Sequence, residues 1–188
     1  MNRFTTALLA LGVSVFSSGC TMMMAPQYTA SLDNVQILRD SGSHTAKVGE
    51  FDASKDKTYA NPISIRSVSL VSPYDDSYAS YLTAALKQEL SLAKKLSPDA
   101  NVEITGTVLK NDINTSGESM SWAQVEARFI VKRNGQLRYD QVKSMKHEFP
   151  SSFSANVAIP KAVQEYPVAV QKLLHQLYID KAFIEALK

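Results

Sequence analysis

The chain has 188 residues, 20 Lys and Arg against 18 Asp and Glu, a single Cys and 7 Gly. That charge balance gives no field to displace counterions from nucleic acid and no polybasic surface for anionic lipid. One cysteine cannot close an intramolecular disulfide, so the core must hold by packing, as a domain of about 150 residues can.

Residues 1–19 carry Arg3, then an uncharged apolar run over 4–16, then Ser17-Ser18-Gly19 immediately before Cys20. A basic start, a short apolar middle and a small-residue end read as a secretory signal. The apolar run falls short of the roughly 20 residues that span a bilayer. The ending resembles the lipobox of bacterial lipoproteins, with Ser17 where that family usually has Leu. The resemblance implies acylation of Cys20, cleavage before it, and a membrane partner reached through the lipid. Thr21, in place of Asp, leans the expected address toward the periplasmic face of the outer membrane.

Residues 20–30 are expected to be the lipidated cysteine and a tether, and residues 31–188 a single periplasmic domain. Consecutive Met22, Met23 and Met24 point in different directions in any extended chain, so they do not converge on an ion. Val35, Ile37 and Leu38 form a short apolar patch before a turn cluster at 39–43. Residues 46–51 alternate as a half-buried strand does. Ile63, Ile65, Val68 and Leu70 suggest one further strand with both faces covered, ended by Pro73.

The strongest helix is predicted over 76–96. Asp75, Asp76 and Ser77 offer capping oxygens, and Tyr78, Tyr81, Leu82, Ala85, Leu86 and Leu90 recur at helical spacing. Strands follow over 101–110 and 122–132, with residues 111–120 as a turn-rich connection. Trp122 falls on the parity opposite the core, which puts it at a sheet edge or in an interface. Asn134-Gly135 is a strong type I′ hairpin signal, because that turn needs positive φ at both central residues. A plain two-residue turn would put Leu137 and Tyr139 on the polar face. Either the second strand carries a bulge or that face is covered. A last helix is predicted from Pro160 to about residue 178, kinked at Pro167, with a short turn over 181–187.

No chemistry-bearing motif emerges. His44, His147 and His175 share no metal-ligand spacing, no Gly-x-Ser-x-Gly elbow or phosphate-cradling loop occurs, and no cofactor is implied. Tyr74 and Tyr78 read as core tyrosines or, with Trp122, as an aromatic interface patch.

The run from Val71 through Pro73-Tyr74-Asp75-Asp76-Ser77-Tyr78 to Leu82 resembles a group of uncharacterised proteobacterial envelope lipoproteins. So do the run from Ile104 to Ile113, Ala158-Ile159-Pro160 and Tyr166-Pro167-Val168. The resemblance implies no enzyme activity and no assigned site. The order of elements is similar to periplasmic α/β domains of curli-secretion and TolB type, a likeness of fold alone. The expected fold is α+β: a mainly antiparallel sheet with two principal helices packed on one face. The expected function is a non-enzymatic outer-membrane lipoprotein, a binding or scaffold module with an envelope protein partner or as a homo-oligomer. A periplasmic hydrolase or small-ligand carrier is the alternative.

Overall fold

A computed structural model describes residues 21–117 and 119–188. The apolar N-terminal run, the lipobox-like ending and Cys20 therefore lie outside the described residues. In chain order the elements are β1 (Thr21–Met24), α1 (Leu32–Asp40), β2 (Lys47–Ala53), β3 (Ile63–Ile65), β4 (Val68–Val71), α2 (Tyr78–Leu92), β5 (Val102–Asn114), β6 (Met120–Arg133), β7 (Gln136–Pro150), α3 (Ala155–Tyr178) and α4 (Lys181–Ala186). They build a four-stranded sheet ordered β2-β5-β6-β7 and a three-stranded one ordered β1-β4-β3.

Period-two alternation dictates the larger sheet. Val102, Ile104 and Val108 of β5 and Ala123, Val125, Ala127, Phe129 and Val131 of β6 are all buried on one face. The apolar stripes of α2 and α3 cover that face, which is the α+β layering expected from the sequence. Pairing is antiparallel from β5 through β7 and between β3 and β4, and parallel for β2–β5 and β1–β4. The hairpin turn has φ of 50° at Asn134 and 80° at Gly135, as type I′ requires. Val131 faces Tyr139 while Lys132 faces Leu137, so Arg138 is an extra residue in β7. That is the bulge: it turns Tyr139 into the core and leaves Leu137 exposed.

Several expectations are corrected. The tether over 21–29 is built into the body. β1 pairs with β4, the Ala25 amide donates to Val71 O (2.8 Å), and the Tyr28 side chain is buried. Composition could not show this, because β1 is held by its backbone while its methionines face solvent. The patch around Val35 is helix α1, capped by Ser31, whose hydroxyl accepts from the Asn34 amide at 3.3 Å. The single strand expected over 63–70 is a tight hairpin, β3 to β4, turned at Arg66 with φ of 54°.

β5 runs on to Asn114. A register shift between Val108 and Lys110 changes its parity, so Asn111 and Ile113 point inward and the alternation breaks in the sequence. Asn111 is satisfied there: its Nδ2 donates to Ala60 O and its Oδ1 accepts from the Tyr166 hydroxyl (2.7 Å). Ser77 alone caps α2, while Asp75 and Asp76 form the preceding turn with φ of 50° and 51°. Helix α3 begins at Ala155, before Pro160, and runs through Pro167. Each proline forfeits one backbone bond, but burial of Val163, Tyr166, Ala169 and Val170 around Pro167 keeps the helix continuous.

Candidate functional site

The helices cover one face of the large sheet, and the other face is open. In β6 the outward positions are Trp122, Gln124, Glu126, Arg128, Ile130 and Lys132. Opposite five of these β7 presents Glu148, Lys146, Ser144, Val142 and Asp140. All five of those β7 residues are exposed. Their charges are matched, across to β6 at Asp140 and along β7 between Lys146 and Glu148. Arg128 Nε donates to Asp140 Oδ1 (2.6 Å), and that bond holds the Asp140 carboxyl below its ordinary range. Lys146 Nζ donates to Glu148 (2.8 Å), lowering that carboxyl in the same way. Such exposed pairs contribute little stability.

Trp122 stands on this face between Asn114 of β5 and Glu148 of β7, so it is not at a sheet edge. Lys146 Nζ lies 5.5 Å from its ring centroid, a cation–π contact. The edge of the face is β7 itself. All of its residues except the bulged Arg138 pair with β6 on one side, and among the described residues no strand pairs with the other. The long free edge carries the features that discourage chance pairing, namely the bulge at Arg138 and the lysines 143 and 146.

On its inner side β7 is held by two polar clusters. Glu165 of α3 is pushed up by burial, but Lys161 and His147 outweigh that and hold its carboxyl low. Lys172 Nζ donates to His147 Nδ1 (2.8 Å), which leaves Nε2 to donate to Glu165 (2.7 Å). Nearer the hairpin, Asp180 accepts from Lys143 (2.6 Å) and the Tyr139 hydroxyl (2.8 Å) while it caps α4 through the Ala182 amide (2.8 Å). Burial raises the Asp180 carboxyl, and these three donors more than offset it. Both clusters brace the strand from behind.

The tyrosines belong elsewhere. Tyr78 is 1% exposed and its hydroxyl donates to Leu70 O (3.0 Å), so it has no surface to offer a partner. Tyr74 is partly buried, and its hydroxyl oxygen accepts from the Tyr28 amide (3.1 Å). With Tyr81 and Tyr166 these rings form a cluster in the core, with centroids 5.0–6.1 Å apart, edge-to-face except for the tilted Tyr78–Tyr81 pair. The aromatic interface expected from Tyr74, Tyr78 and Trp122 therefore reduces to Trp122.

One buried acid was not singled out from the sequence. Glu89 of α2 is fully buried and accepts from the Tyr28 hydroxyl (2.6 Å), the Ser31 amide (3.0 Å) and Asn34 Nδ2 (3.2 Å). Burial raises its carboxyl above the ordinary value, and the three donors pull against that. The signal was available: Glu89 stands on the apolar stripe four residues after Ala85 and four before Ala93. Asn34 also donates to Gln171 O (3.0 Å) and its Oδ1 meets His175 Nδ1 (3.1 Å), so the node ties α1, α2 and α3 together. Its geometry is that of a clamp.

The larger concavities are shallow. One of about 500 Å³ lies between α1 and α4, lined by Ile37, Asp40, Tyr178 and Ile184. One of about 390 Å³ lies between β2 and α2, lined by Glu50, Phe51, Asp75 and Lys87. Among the described residues no group of three or more His, Cys, Asp or Glu is placed to hold a metal ion, and no helix is long and apolar enough to cross a membrane.

No family model matches the chain, and no curated protein matches it in sequence. Its fold is similar to that of a Xanthomonas campestris protein of family DUF330. The two share 11% identity at a TM-score of 0.56 over 84% of this chain and 92% of that one. The likeness is one of fold. Weaker similarity reaches a Caulobacter crescentus CB15 protein described as a candidate lipoprotein, with TM-score 0.46, 12% identity and coverage of 82% and 96%. It also reaches a hypothetical protein of Chlamydia trachomatis, with TM-score 0.47, 8% identity and coverage of 73% and 96%.

Proposed function

We propose that the chain is a non-enzymatic, lipid-anchored envelope protein on the periplasmic face of the outer membrane. Its domain is a binding module that takes a protein partner, or a second copy of itself, along the free edge of β7 and the adjoining open face. The observation that carries this reading is the edge: a strand of 15 residues, braced from behind and, among the described residues, unpaired outward. A partner strand added there gains main-chain hydrogen bonds, and the outward row from Asp140 to Glu148 supplies specificity. Trp122, Ile130 and Val142 are apolar positions on that surface. Cys20 supports the anchor through its small-residue lipobox-like setting. The alternative, a hydrolase or small-ligand carrier, has no specific observation in its favour.

In intact cells, a photocrosslinker at Val142 is expected to capture an envelope protein or a second copy, while one at exposed Lys87 of α2 does not. Equal capture at both positions, or none at Val142, discards the edge. In the same cells Cys20→Ala is expected to leave the domain folded and remove it from the membrane fraction. A Cys20→Ala protein that still fractionates with membrane discards the lipid as the anchor.

A further inference from the structure

One pole of the molecule gathers the β3–β4 turn, the loop entering β6 and the loop leaving β7. Arg66 of that turn fastens them, donating to Thr115 O (2.9 Å), Ser152 O (2.9 Å) and Phe153 O (2.8 Å). The Ser151 amide donates to Ser119 O at the same place (2.8 Å). β1 starts here too, since Thr21 pairs with Val68, two residues after Arg66.

Large apolar side chains stand exposed at this pole among its polar ones. Phe153 is 85% exposed, Val157 57%, Met120 49% and Met22 69%. Phe153 is this exposed although the other phenylalanines among the described residues, at 51, 129, 149 and 183, are buried. The backbone around Phe153 is held in place by Arg66, so its ring is presented by a fixed loop.

Thr21 directly follows Cys20, and Thr21 is already in a strand. One residue reaches about 3.5 Å. A lipid on Cys20 therefore leaves no spacer between the acyl chains and this pole. We infer that the pole is a membrane-contact surface, with Phe153, Val157, Met120 and Met22 resting in the headgroup layer beside the anchor. This rests on the lipid-anchor reading above. A bilayer fits the surface better than a protein does, because the lipid itself delivers the membrane to this end of the chain. Interfacial side chains settle about 5–10 Å into the headgroup and acyl boundary, which matches a rim of single apolar residues around one attachment point. The Asn134–Gly135 tip lies at the opposite end of β6, whose 14 residues at about 3.3 Å each span roughly 45 Å. The contact holds that tip away from the bilayer.

The test uses the full chain, processed in cells, purified and reconstituted into vesicles of phosphatidylethanolamine and phosphatidylglycerol with brominated acyl chains, which quench tryptophan on contact. In a Trp122→Phe background the single reporter is Phe153→Trp at the pole or Leu137→Trp beside the tip. Circular dichroism confirms the fold of each, and Val157→Trp replaces Phe153→Trp if that variant misfolds. Co-flotation with quenching at 153 of about twofold, the expectation for a side chain at the headgroup and acyl boundary, and none at 137, supports the inference. Co-flotation with no quenching at 153, or with quenching at 137 instead, overturns the inference and leaves the anchor standing. Protein that does not float with the vesicles overturns the anchor, and the membrane contact falls with it.

Discussion

Glu89 shows how one side chain can tie the chain's ends to its middle. Its carboxylate is the common acceptor for the segment before α1, for α1 itself and, through Asn34, for α3. Glu89→Ala leaves those buried donors unpartnered and opens a cavity, and should lower stability by about 3 kcal/mol or more in denaturant titration. Glu89→Gln keeps one acceptor and is milder. Its pH dependence has a definite sign. Because the folded-state value is raised, folding takes up a proton at Glu89, and the stability linked to it is fully present below the ordinary value of 4.5 and lost as pH rises through the folded one. The advantage of the native protein over Glu89→Gln should therefore grow on acidification from neutral pH. A narrowing gap would show that Glu89 is held charged. A lone acid on an apolar stripe is visible in the sequence; its partners are not, because Tyr28 and Asn34 lie more than fifty residues away.

At the scale of elements, the large sheet was legible and the reason is plain. In β6 a more exposed residue alternates with a buried one from Met120 to Lys132, and Asn134-Gly135 fixes the register that follows. The misplaced Leu137 and Tyr139 even announced the bulge. Where parity changed inside a strand, as at Val108 in β5, the pattern read as a loop. α1 was missed because nine residues with only three buried give a weak stripe. Gly106 marks a close approach within the same sheet. A Cβ there would lie 2.1 Å from Arg128 O and 2.4 Å from the Phe51 ring, which packs across the glycine and edge-on against Phe129. Neither the backbone nor the buried ring can move aside cheaply. Gly106→Ala should cost about 3 kcal/mol, read as a lower denaturant midpoint with the slope unchanged. A neutral result would mean that Phe51 does not occupy the space above the glycine.

For the molecule as a whole, the larger surprise is at the start of the domain. Residues 21–29 read as a tether because Met, Pro and Gln carry no pattern there; their role is fixed by backbone pairing and by Tyr28 reaching Glu89. Removing 21–29 should therefore destabilise the domain and not merely release it. The lost burial of Ala25 and Tyr28 and the Glu89 bond amount to roughly 3 kcal/mol. For a domain of this size that lowers Tm by about 6–12 °C. An unchanged Tm would return the segment to the role of a tether. The candidate binding surface was only partly legible: parity placed Trp122 off the core, but the length of the free β7 edge depends on strand order, which periodicity does not reveal.

The pairing of β1 with β4 also decides how the protein bears force. The two strands run in the same direction over four residues, with Thr21 at the end where the chain would leave toward Cys20. A pull on that end, directed along the strand, shears all the β1 hydrogen bonds together instead of opening them one by one. Load that passes β1 arrives next at Ala25, Tyr28 and Thr29, which are fastened to β4, α2 and α3 by the Val71, Glu89 and Gln171 bonds. Tension applied at the start of β1 would be delivered into the centre of the fold, so the segment would act as a stiff bracket and not as a float on a line.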